Sequence, residues 1–97
     1  MPLPDKESAE PKLLHALEVE DVYSVAWSPD GSKLSSGGRD GMLRVWDTTR
    51  GKEIHVLQVQ EPKGGLFSGV FSVAWSPDGS KLASGSEESI MIWSIPK

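Results

Sequence analysis

Two histidines, His15 and His55, stand at like places in the similar stretches LLHALE and EIHVLQ. A metal site would need further ligands at set spacing, and the sequence holds neither an HxH nor an HExxH pattern. Cysteine is absent, which removes thiolate ligands and cysteine nucleophiles together. The two histidines therefore read as half-exposed strand residues. Ser28-Pro29 and Ser76-Pro77 would suit a proline-directed kinase, but each serine opens an SPDG turn that already explains it. Gly64-Gly65-Leu66-Phe67-Ser68-Gly69 lacks the Lys-Ser/Thr ending of a phosphate loop and reads as a connector. No nucleophile elbow is present. Asp30 and Asp78 sit in separate copies of one motif and read as turn formers, not as a paired acid and base. Trp27, Trp46, Trp75 and Trp93 recur at matching positions, which favours core packing over a ligand cage. No catalytic residue, metal or cofactor is assigned.

Lys and Arg number 10 against 14 Asp and Glu, for a net charge of −4, and no three basic residues adjoin. A nucleic-acid partner is not expected, because binding phosphates needs a basic patch. The longest apolar run, Ile90-Met91-Ile92-Trp93, is far short of the roughly 18 residues of a membrane helix. No membrane partner is expected. The missing cysteines favour an intracellular protein, cytoplasmic or nuclear. Residues 1–12 are polar and Pro-containing and read as a disordered tail.

What positions these residues is a repeat. Residues 22–37, VYSVAWSPDGSKLSSG, and 70–85, VFSVAWSPDGSKLASG, differ only at Tyr23/Phe71 and Ser35/Ala83. The offset of 48, which becomes 47 after Gly85, sits near the period of about 40–50 seen in propeller blades. Within a unit the pattern is strand. Residues 22–27 mix β-branched and aromatic side chains. In Pro29-Asp30-Gly31 and Pro77-Asp78-Gly79, Pro presets φ, Asp suits the second central position and Gly takes the unrestricted one. Further strands are expected at 33–38, 42–46 and 52–59, with Leu43 and Val45 facing opposite to Arg44 and Trp46. The second unit repeats three of these, at 70–76, 81–86 and 90–95. A spare strand is expected at 13–18, giving eight in all.

This order of segments, SVAWSPDGSKL, then SSGGRDGMLRVWD, then KEIHVL, resembles the WD-repeat β-propeller family, with Trp46-Asp47 as its name-giving dipeptide. The resemblance covers residues 13–95. It implies an all-β fold: a partial WD-repeat β-propeller of about two four-stranded antiparallel blades, with strands a to d running outward. Residues 13–59 would hold strand d of a preceding blade plus the first blade. Residues 60–69 would be a connector, and 70–97 a second blade with strands a to c only. Propellers of the TolB and prolyl-oligopeptidase types also use Trp-Ser-Pro-Asp-Gly but lack the Trp-Asp ending. They leave an alternative, a segment accessory to a hydrolase. Many WD repeats join a His of a Gly-His pair to Ser/Thr of strand b, Asp of the b–c turn and Trp of strand c. Asp40, Trp46 and one of Ser35 or Ser36 match three of these positions. The Gly-His pair is missing from both units, and Glu87 or Glu88 stands for Asp40 in the second. Both networks are therefore expected to be incomplete.

The resemblance further implies a non-catalytic protein-interaction or scaffold module that binds proteins or peptides on the rim of the d–a and b–c loops. The candidate partner surface is Arg39, Leu66, Phe67, Glu87 and Glu88, with a loop folded back over its own blade as the other reading of Leu66 and Phe67. Two units are fewer than a closed propeller or a stable repeat array requires. The chain thus reads as a fragment or short product of a larger propeller protein. Self-assembly, or a chain with no independent function, are the other readings.

Overall fold

The computed structural model describes residues 10–59 and 69–97. Seven strands form among them: β1 (Val22–Trp27), β2 (Lys33–Gly38), β3 (Met42–Asp47), β4 (Lys52–Gln58), β5 (Ser72–Trp75), β6 (Lys81–Gly85) and β7 (Ile90–Ser94). They make a four-stranded sheet in the order β1-β2-β3-β4 and a three-stranded sheet in the order β5-β6-β7. Every pairing is antiparallel. These are the two expected blades, each a meander that steps from strand to strand through a short turn.

The turns show why the chain folds back where it does. Gly31 (φ 78°) and Gly79 (φ 75°) take the left-handed conformation that closes each SPDG turn. Their N–H groups donate to the carbonyls of Ser28 and Ser76, both at 3.0 Å. The Asp30 carboxylate accepts from the Ser32 N–H (2.9 Å) and from the hydroxyls of Ser32 (2.7 Å) and Ser28 (3.0 Å). Ser28 Oγ in turn accepts from the Lys33 N–H at 2.9 Å, which aligns the start of β2. Asp78 repeats this web with Ser76 and Ser80.

Alternation along the strands sorts side chains onto two faces of each sheet. Register places Leu43, Val45 and Leu57 on one face of the first sheet, with Arg44 and Trp46 on the other. The first of these faces packs against Val73, Trp75, Leu82 and Trp93 of the second sheet. The shared core contains Leu43, Val45, Val59, Val70, Val73, Leu82 and Ile95. Three polar links join the two units among the described residues. The Trp75 indole donates to the Ala26 carbonyl (3.1 Å), the Val73 N–H donates to Ser24 Oγ (3.3 Å), and the Val70 N–H donates to the Gly38 carbonyl (2.8 Å). Small residues in β2 allow this close contact. A Cβ on Gly37 would run into the Val70 side chain, so only glycine allows the close approach there.

Three expectations need correction. Residues 13–18 form no strand, so seven strands stand where eight were expected. A ladder needs a partner edge, and among the described residues no strand pairs with this segment. Trp27 is not packed in a core but is 65% exposed. Its counterpart Trp75 has the first sheet to pack on, whereas no described blade stands against Trp27. The second unit's strands are shorter than expected, β5 starting only at Ser72 and β7 ending at Ser94. Residues 1–9 of the expected tail and 60–68 of the expected connector lie outside the described residues. Residues 10–12 are exposed and irregular.

Candidate functional site

Two of the loops expected on the rim, the segment before β1 and the β2–β3 turn, are tied together by a backbone contact. Asp21 adopts a φ of 52°, a region in which Asp is tolerated better than most residues. Its carbonyl accepts the Arg39 N–H at 3.1 Å, tying the segment before β1 to the β2–β3 turn. A Cβ on Gly38 would come within 2.6 Å of that same carbonyl, so the close approach depends on glycine. Gly41 (φ 78°) closes the turn, and Asp40 Oδ1 accepts the Met42 N–H at 2.9 Å.

A shallow hollow results, lined by Glu18, Glu20, Asp21, Arg39, Asp40 and Arg44. Arg44 is committed inside it. Its guanidinium donates to Asp40 (3.0 Å) and also pairs with Glu53 of β4 at 3.2 Å. Such partly exposed pairs each contribute about 0.2–1 kcal/mol. Arg39 is exposed and has no ion pair among the described residues. Glu87 and Glu88 are exposed in the β6–β7 turn, which is closed by the Ser86 N–H donating to the Ser89 carbonyl at 3.0 Å. Leu66 and Phe67 lie outside the described residues. The sequence reading missed Arg44, though its spacing of four from Asp40 was visible.

Of the two serines open at the strand-b position, Ser36 is the one engaged: the Trp46 indole donates to its hydroxyl at 3.0 Å. Ser35 Oγ instead donates to the Ala26 carbonyl at 3.2 Å. Asp40 bonds to Met42 and Arg44, not to that tryptophan–serine pair. In the second sheet the Trp93 indole donates to Ser84 Oγ at 3.1 Å. Asp47, beside Trp46, accepts the N–H groups of Thr49 (2.8 Å) and Arg50 (3.0 Å). Those bonds, the Arg50 one foremost, hold its carboxyl below the usual carboxylate range.

At the opposite end the two SPDG turns flank one hollow, lined in part by Pro29, Asp30, Trp75, Pro77 and Asp78. The carboxylates share that hollow, yet each is occupied by its own turn. The Ser32 N–H, with the Ser32 and Ser28 hydroxyls, brings Asp30 down to about 2. The Ser80 N–H, with the Ser80 and Ser76 hydroxyls, holds Asp78 further below the usual range. Carboxyls so depressed bind fewer protons folded than unfolded, so their contribution to stability is complete above about pH 4. It is lost as pH falls from there through about 2. Urea midpoints measured across this window should fall with pH, and the double variant Asp30→Asn, Asp78→Asn should show a shallower fall. An unchanged slope in the variant would mean that these turns do not set the acid sensitivity.

His15 donates through Nε2 to the Thr49 carbonyl at 3.1 Å, and the two histidines are not brought together in any metal-binding group. Among the described residues no cluster of three or more His, Asp or Glu is placed to hold an ion. No helix of the described residues is long and apolar enough to cross a membrane.

Both the sequence and the fold of the two sheets recur in known proteins. Residues 11–47 and 52–94 match the family described as WD domain, G-beta repeat. The chain belongs to the WD-repeat family. Its fold is accordingly a partial WD-repeat β-propeller, of a family of protein-interaction scaffolds. The small ribosomal subunit protein RACK1z of Arabidopsis thaliana is 49% identical over 37 residues, covering 38% of this chain and 11% of that protein. A probable serine/threonine-protein kinase, PkwA of Thermomonospora curvata, is 47% identical over 56 residues, 54% of this chain and 8% of that protein. The solved structure of the WD40 repeats of RRP9 superposes with a TM-score of 0.69 at 30% identity, over 80% of this chain and 24% of that one. This WD-repeat chain thus spans about a tenth of the length of these curated relatives.

Proposed function

We propose that the chain is a non-catalytic protein-interaction module, two blades of a larger WD-repeat propeller, acting in the cytoplasm or nucleus. Its partner is a protein or peptide rather than a nucleic acid, in keeping with the net charge of −4. The observation that carries this reading is the rim. The hydrogen bond from Arg39 to Asp21 fastens two loops into one hollow and leaves the Arg39 side chain exposed beside it. A fixed backbone presenting free side chains lowers the ordering cost of binding. Arg39, Glu87 and Glu88 supply charge, and Leu66 and Phe67 of the connector supply an apolar anchor.

The test is selection of peptides from a display library on the purified chain, followed by binding to two variants. Arg39→Glu and the pair Leu66→Ser, Phe67→Ser should each weaken the selected peptides at least tenfold with the melting temperature nearly unchanged. Peptides that bind all three proteins equally would sink the rim reading.

A further inference from the structure

The proposed function calls for more blades than two, and the two open faces of this chain match each other. Let the leading face of a blade be the one carrying Val25, Trp27 and Leu34 in the first sheet, and Val73, Trp75 and Leu82 in the second. The trailing face is then that of Ala26, Leu43 and Val45 in the first sheet, and of Ala74, Ile90 and Ile92 in the second. Inside the chain, the leading face of the second blade covers the trailing face of the first. Leu43 and Val45 are thereby fully buried, whereas their repeat counterparts Ile90 and Ile92 are 78% and 71% exposed. Val73 is 7% exposed, and its counterpart Val25 is 58% exposed. Each open face is thus a near copy of a face that is already buried in this molecule, against a partner the chain also carries.

We propose that a second copy of this chain packs its leading face, Val25 and Trp27, on the trailing face, Ala74 and Ile92, of the first, continuing the internal blade junction from molecule to molecule. This rests on the reading of the two sheets as propeller blades and names what covers their outer faces in the purified chain. The internal junction specifies the new one. The Trp75 indole donates to the Ala26 carbonyl within the chain. By repeat equivalence, the Trp27 indole donates to the Ala74 carbonyl of the neighbouring copy. The Val73 N–H bond to Ser24 Oγ likewise becomes one from the Val25 N–H to Ser72 Oγ. Gly37 makes room for Val70, and a Cβ on its counterpart Gly85 would meet only Ser72 Cβ, at 3.9 Å, which leaves room for the neighbour's Val22.

The segment before β1 also fits. His15, Leu17 and Val19 line a hollow with Leu34, Ser36 and Trp46 on the leading face of the first blade. By repeat equivalence the corresponding place at the internal junction falls to β4, whose Leu57 packs against the shared core, as Trp93 does. In the assembly residues 13–18 lie alongside the free outer edge of β7 in the neighbouring copy and gain the ladder partner they lack in one chain. The junction is not a copy in every detail. Arg44, held by Asp40 and Glu53, stands where Met91 stands in the second blade, so its outer margin is more polar.

A head-to-tail contact of this kind either closes into a ring or runs on as a fibre. Three or four copies supply six or eight blades, within the range of about four to eight found in closed propellers.

The experiment measures mass in solution by light scattering on the purified chain. The wild type should run as three or four copies. Trp27→Lys spoils only the leading face and Ile92→Lys only the trailing face. Both side chains are exposed in the single chain, so each variant should stay folded and run as a monomer. Mixed in equal amounts, the two should form a dimer and stop there, because one intact leading face meets one intact trailing face. A monomeric wild type, a Trp27→Lys variant that keeps the wild-type mass, or a mixture that stays monomeric each overturns the proposal. None of these outcomes touches the rim, so the binding test above stands or falls separately.

Discussion

Trp46→Ala should cost about 3–5 kcal/mol, the range for truncating a buried aromatic side chain. Trp46 is 8% exposed and lies in β3 between Leu34 of β2 and Glu53 of β4. Truncation removes the ring and also takes away the donor to Ser36 Oγ, a buried hydroxyl that then has to find another partner. Natural domains have only about 5–15 kcal/mol in hand, so this loss should leave the first sheet largely unfolded. Far-ultraviolet circular dichroism and urea titration would show it. Trp46→Phe separates the two contributions, because it keeps most of the ring and leaves the buried Ser36 hydroxyl without its donor, at about 1–3 kcal/mol. If the alanine variant melts within about 1 kcal/mol of the parent, Trp46 is not holding β2, β3 and β4 together.

Leu82→Ala should be nearly as damaging, at about 2–5 kcal/mol, through the cavity it leaves. Leu82 is fully buried in β6, between Trp75 and Trp93 in register, on the face that meets the first sheet. The loss should therefore appear at the junction. In hydrogen exchange, protection should fall in both sheets at once. Loss confined to β5, β6 and β7 would show that the first blade does not depend on the second.

The sequence was most informative where chemistry is local. The turn residues Pro29-Asp30-Gly31 and the alternation of Leu43, Arg44, Val45 and Trp46 act within a few residues, so strand positions and faces could be read directly. The repeat extended that reading to the second unit. Ser35 and Ser36 were indistinguishable because they are adjacent and chemically alike; only the pleat decides which one faces the Trp46 indole. The pairing of Arg44 with Glu53 depends on the register irregularity between Val45 and Trp46, which brings Glu53 opposite Trp46. The exposure of Trp27 and the missing ladder at 13–18 have one cause. Both positions carry the signature of a blade junction, and a signature does not say whether the neighbouring blade is there. Of the rim, the Asp21–Arg39 bond was the least legible, since it depends on a positive φ at a non-glycine residue.

The near identity of the two SPDG hairpins has a consequence for how the chain reaches its fold. β1 has almost the same residues available in β6 as in β2, so side-chain fit barely separates the correct pairing from an exchanged one. What separates them is chain entropy. Joining β1 to β2 closes only residues 28–32, whereas joining it to β6 closes 28–80. At (3/2)RT ln of the length ratio, that difference is worth about 2 kcal/mol. The aspartate webs at Asp30 and Asp78 add to this bias by ordering each turn locally. Fidelity of pairing therefore rests on the ten residues of two turns at one end of the molecule rather than on its apolar core. A change that loosens those turns would raise the proportion of strand-exchanged molecules even where every buried contact is preserved.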